Sequence, residues 1–122
     1  MFDTNNFSYR VFLDYVMQKM HLENTEEQVK TKIEKEIVRI LGNRIITTTM
    51  NSMTEDNLIE FDMLRNAHPD FSDLELLFTF VENIPALSEA LIKGVNDLAE
   101  ELTYDSERLD EVLKTKSNQN KQ

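Results

Sequence analysis

The sequence predicts an all-α fold, a compact bundle of five to six helices. Three observations lead there. The chain of 122 residues holds only two glycines and two prolines, too few for the tight turns of a β-sandwich or barrel. Its apolar residues recur every three to four positions over long stretches. Capping residues stand at the starts of several of those stretches. The length suits one core. Three segments follow: an aromatic-rich N-terminal helix over 1–22, a helical bundle over 23–114, and a disordered tail over 115–122.

The first helix, "FSYRVFLDYVMQKMHL" at 7–22, carries Phe7, Val11 and Tyr15 on one face and Phe12, Val16 and Met20 beside it. Phe2, Phe7, Tyr9, Phe12 and Tyr15 all fall in the first fifteen positions. A helix this apolar is either central to the core or covered by a partner. Phe7, Tyr9, Phe12 and Tyr15 are therefore the candidate partner-binding residues. Both readings stand at this point, core helix and docking arm.

"ENTEEQVKTKIEKEIVRILGN" reads as the second helix. Thr25 and Gln28 fit a capping box, and Glu26 and Glu27 suit the positive end of the helix dipole. Val29, Ile33, Ile37 and Ile40 step along one face, and Gly42 fits the left-handed position that ends a helix. "NRIITTTMNSM" follows. Its threonines favour strand, but a lone strand is not stable, so a short separate helix is expected. Thr54 caps the next one, "EDNLIEFDMLRN".

The stretch "NAHPDFSDLELLFTFVENIPAL" poses a choice. His68, Asp70, Asp73 and Glu75 could be metal ligands or helix punctuation. Pro69 disfavours a helical His68, Ser72 can cap a new helix, and Asp73 and Glu75 fall in its first turn. Punctuation explains them, and no metal is expected. The helix "DLELLFTFVEN" is apolar over more than half its circumference. Phe78 and Val81 should sit near the middle of that arc and be almost fully buried. Pro85 suits the first turn of a final helix.

From Leu91 the spacing is that of a heptad seam: Leu91, Val95, Leu98, Leu102, then Asp105, Leu109 and Val112. It can pack on the chain's own core or pair with a second copy through Leu91, Val95, Leu98 and Leu102. Asp105 interrupts the seam, and "TYDSE" can equally end one helix and cap another.

Chemistry is narrowed mainly by what is missing. There is no cysteine, hence no thiolate nucleophile, disulfide or iron–sulfur cluster. Two glycines cannot build a GxGxxG turn or a P-loop. The two histidines, His21 and His68, form neither HExxH nor the Glu-x-x-His of di-iron bundles. No enzyme activity and no cofactor are expected. The opening "MFDTNNFSYR" lacks a basic start followed by an apolar run, and no run is long enough to span a bilayer. A cytoplasmic location is expected.

Charge is one-sided. Residues 1–50 hold 7 basic and 7 acidic groups, and residues 51–122 hold 6 and 16, so the whole net charge of −10 lies in the second part. Phosphate backbones and anionic membranes are repelled by such a surface, so neither nucleic acid nor membrane is an expected partner, whereas a basic protein is attracted. The leading expectation is a small non-enzymatic protein–protein interaction module or accessory subunit of a larger assembly. The alternative is an acidic regulator or nucleic-acid mimic that occupies a basic protein surface.

From Val29 to Leu102, "ILGNRII", "MTEDNLIEFDMLRN" and "FTFVENIPALSEALIKGVNDLAEEL" follow one another in an order that resembles a small helical domain family of unknown function, seen mainly in candidate-phylum bacteria. The shared cues are the Thr-capped "TEDNLIEF" helix and the "ENIP" entry into a final helix. The resemblance implies a compact helical domain. It implies no activity and no functional residues.

Overall fold

A computed structural model describes residues 1–120, with side chains through Tyr104. It is all-helical, with five helices: α1 (Tyr9–Lys19), α2 (Glu27–Asn51), α3 (Glu55–Ala67), α4 (Asp73–Val81) and α5 (Pro85–Asn120). The two long helices, α2 and α5, pack along each other as the frame. α1 and α4 lean on both, and α3 packs on α4.

α1 is shorter than 7–22. Ser8 accepts the N–H of Val11 and starts it. Its end is a Schellman turn: the N–H of Leu22 donates to the Met17 carbonyl at 2.8 Å and that of His21 to Gln18 at 3.1 Å. His21 takes the left-handed position, φ 58°. Leu22 then packs against the main core.

α2 corrects two expectations. Thr25 and Gln28 form no capping box. Thr25 donates its N–H to Leu22 and so belongs to the turn, and the helix enters one residue later at Glu26, without a side-chain cap. Gly42 ends nothing. Ile37, Leu41, Ile45 and Thr49 are buried at successive steps of four, and this stripe continues across Gly42. Burying Ile45 and Thr49 requires the helix to go on, so the expected separate helix over "NRIITTTMNSM" is the C-terminal half of α2. The missing Cβ of Gly42 has its own use, since a Cβ there would lie 3.4 Å from Leu74 and 3.8 Å from the Tyr9 hydroxyl.

Thr54 caps α3 as expected, and reciprocally: Thr54 accepts the Asn57 N–H and the Asn57 side chain accepts that of Thr54, both at 3.1 Å. Ser72 caps α4, accepting the Glu75 N–H. The apolar arc of α4 centres on Leu77, which is fully buried, with Val81 and Leu76 beside it. Phe78 stands at the edge of the arc and is only half-buried, contrary to the expectation. α4 lies between two clusters. The larger core joins α1, α2, α4 and α5 around Phe12, Val16, Leu41, Ile45, Leu87 and Val95. The smaller one joins Phe61 of α3 to Leu76 and Leu77.

α5 passes through 103–106 as one helix. Its seam residues Leu91, Val95 and Leu98 are buried in the chain's own core, with Leu102 packed against it. In this conformation the first three are not offered to a second copy. Asp105, Leu109, Val112 and the expected tail at 115–122 lie outside the residues whose side chains are described.

Candidate functional site

The structure separates the four aromatic candidates. Phe12 has no exposed surface. Its face of α1, with Leu13, Val16 and Met17, points into the bundle, so Phe12 cannot contact a partner without unfolding. The physical reason is enclosure: α2 and α5 both pack on α1, and residues before Tyr9 fold back over it. Phe2, which carried no expected role, is 7% exposed and lies 5.7 Å from the Phe12 ring and 5.6 Å from Tyr15. Tyr15 and Tyr9 are half-buried. The Tyr9 hydroxyl is buried with no hydrogen-bond partner among the described residues, and burial raises its pKa.

Phe7 alone of the four lines an open groove, of about 520 Å³. This lies within the roughly 300–1,000 Å³ usual for a binding cleft. One wall is Phe7, with Tyr9 at 6.2 Å from it and Phe78 at 6.1 Å from Tyr9, ring centre to ring centre. The other is a face of α5 formed by Pro85, Ser88, Glu89 and Ile92, spaced as one helical stripe. Val81 and Leu91 are the buried floor, and Glu82 stands where α4 meets α5.

That corner is fixed by hydrogen bonds. The Ser88 hydroxyl donates to the Val81 carbonyl at 2.7 Å, the Ile84 N–H to the same carbonyl at 3.0 Å, and the Ser88 N–H to Ile84 at 3.1 Å. The Val81 carbonyl at the end of α4 is thereby satisfied, and Pro85, which has no N–H to lose, opens α5.

The groove combines apolar walls with two exposed carboxylates. Among the described residues it is lined by no histidine, no lysine and no arginine. Such a site suits the docking of an apolar group by shape.

The residues of the metal question are placed apart from this groove. Asp73 faces Arg65, 3.1 Å from its Nε, and His68 lies against Phe71 with ring centres 5.5 Å apart. Among the described residues, no three His, Asp or Glu side chains converge to hold an ion. No helix there is long and apolar enough to cross a membrane.

A second exposed apolar feature sits on α3. Ile59 and Met63, one turn apart, are 59% and 66% exposed, on the side opposite the buried Phe61. Glu55, Asp56 and Glu60 flank them on the same outward face. Reading from sequence missed Ile92, Glu82 and Glu89. The sequence placed Glu82 within "DLELLFTFVEN", just before the "ENIP" entry into the last helix, and it caps the C-terminus of α4, but nothing local placed Phe7 opposite it. Comparison with family models, with curated proteins and with solved structures returns no match.

Proposed function

We propose that this chain is a non-enzymatic protein-interaction module, an accessory subunit of a larger assembly, and that it docks its partner in the groove between Phe7 and α5. The single observation carrying this reading is the open cleft of about 520 Å³ with apolar walls and a hydrogen-bonded corner. A half-buried Phe78 and Ile92 at its sides leave apolar surface that a partner side chain would cover, the arrangement found at interface centres. The test is affinity purification of the tagged full-length chain from its native cell. A partner should co-purify with the wild type and be lost with Ile92→Gln, which keeps its helical signal and melting transition. A partner retained by folded Ile92→Gln and by Glu82→Lys/Glu89→Lys alike would refute the groove.

A second reading is favoured by the outward face of α3, where carboxylates surround Ile59 and Met63. On that reading the protein is an acidic regulator that occupies a basic surface. Salt separates the two. Binding by exposed carboxylates collapses between low and moderate ionic strength, whereas apolar docking survives.

A further inference from the structure

Resting on the docking reading, we infer that the groove accepts a cationic partner segment: one apolar side chain seated against Phe7, Phe78 and Ile92, with lysine or arginine beside it meeting Glu82 and Glu89. The argument is charge complementarity around an apolar cleft. Among the described residues, the two ionisable groups lining the groove, Glu82 and Glu89, are both acidic. Both are exposed, and among the described residues neither is engaged in an ion pair. The first cation along α5, Lys93, is turned along the helix to Asp97, with Nζ to Oδ2 at 2.8 Å, so it does not neutralise the rim.

The helix dipoles do not set this preference. The C-terminal end of α4 and the N-terminal end of α5 meet at the same corner, and their partial charges oppose each other. The field of the groove therefore comes from Glu82 and Glu89. Exposed pairs contribute little affinity each, so the apolar anchor supplies most of the binding. The carboxylates decide which segment is accepted, in which direction, and how fast it arrives. A phosphate-bearing occupant is disfavoured by the same field.

The test uses the full chain and three short amphipathic peptides, each with one tryptophan flanked by lysines, serines or glutamates. The protein contains no tryptophan, so emission reports only the peptide's anchor. At low salt the lysine peptide should shift to the blue and bind at least about tenfold more tightly than the serine peptide. Glu82→Lys/Glu89→Lys should weaken it by about tenfold. Asp70→Lys/Glu100→Lys, with the same change in net charge at exposed positions elsewhere, should leave it within about twofold.

Equal affinity for lysine and serine peptides overturns the charge preference, and so does equal weakening by both charge reversals. Serine-peptide binding as tight as that of the lysine peptide, with Ile92→Gln abolishing both, sinks this inference while leaving the docking reading intact. Loss of the native partner by Ile92→Gln, with no emission shift from any peptide, does the same.

Discussion

The side chain of Asn96 clamps the backbone of Phe2 from both sides. The Phe2 N–H donates to Asn96 Oδ1 at 2.9 Å, and Asn96 Nδ2 donates to the Phe2 carbonyl at 3.0 Å, across 94 residues of sequence. The amide acts as a peptide group would in a sheet, satisfying a donor and an acceptor at once. It holds the Phe2 ring on Phe12 and Tyr15 and keeps the segment before α1 closed over the core. Replacing Asn96 by Ala should cost about 1–3 kcal/mol, because both Phe2 backbone groups are left part-buried and unpaired. Urea unfolding measures it. Loss below a few tenths of a kcal/mol would show that water replaces the clamp.

His21 should be improvable. A side chain at φ 58° is strained, and glycine is the residue that the Schellman position tolerates best. His21→Gly is expected to stabilise the fold by about 0.5–1 kcal/mol. The same substitution at Gln18, inside α1, should destabilise by about 1 kcal/mol. A destabilised His21→Gly in thermal melts would mean that the imidazole makes a contact outweighing the strain.

The two glycines should respond oppositely to alanine, although both stand in helix interiors. Propensity alone favours alanine by about 1 kcal/mol at each. At Gly42 a new Cβ meets only ordinary contact, the nearest atom at 3.4 Å, so Gly42→Ala should be neutral or stabilising. At Gly94 it would stand 2.9 Å from Thr48 Oγ1, 3.0 Å from its Cβ and 3.1 Å from its Cγ2. The branched Thr48 cannot swing clear of all three, so Gly94→Ala should destabilise by about 1–3 kcal/mol through overpacking. Thr48→Ala in the same chain should recover part of the loss, and no recovery in the double-mutant cycle would place the strain elsewhere.

Arg44 and Glu101 tie α2 to α5 in a bidentate pair, Nη1 to Oε1 at 3.0 Å and Nη2 to Oε2 at 2.6 Å. The hydrogen bond from Arg44 holds the Glu101 carboxyl below its ordinary pKa. A depressed carboxylate stabilises the folded state above the unfolded pKa, about 4.3, and loses that contribution as pH falls through the folded value. Glu101→Gln should therefore lower stability at neutral pH, and the gap to wild type should close below about pH 4. With the Glu101 side chain 54% exposed, the effect should stay within about 1 kcal/mol. A gap that persists unchanged at pH 3 would show that packing, not charge, is what the pair supplies.

The sequence by itself determined the fold class, the places where α3, α4 and α5 begin, and the amphipathic character of each helix. Those features are set by residues three or four positions apart: Thr54 with Asn57, Ser72 with Glu75, Pro85 at the head of α5. Sequence also showed that α1 is aromatic. Only the tertiary structure decided which way that face points, because enclosure depends on Phe2, α2 and α5 arriving from elsewhere. The same reason moved the end of α2. Gly42 and the threonines after it read locally as a stop, but burying Leu41 and Ile45 in the shared core outweighs a weak propensity. The groove was the least legible part. Phe7, Phe78 and Ile92 come from three separate segments, and no local period brings them together. Its corner could be read in "ENIP", whereas its opposite wall exists only because Asn96 and the core hold the N-terminal segment in place.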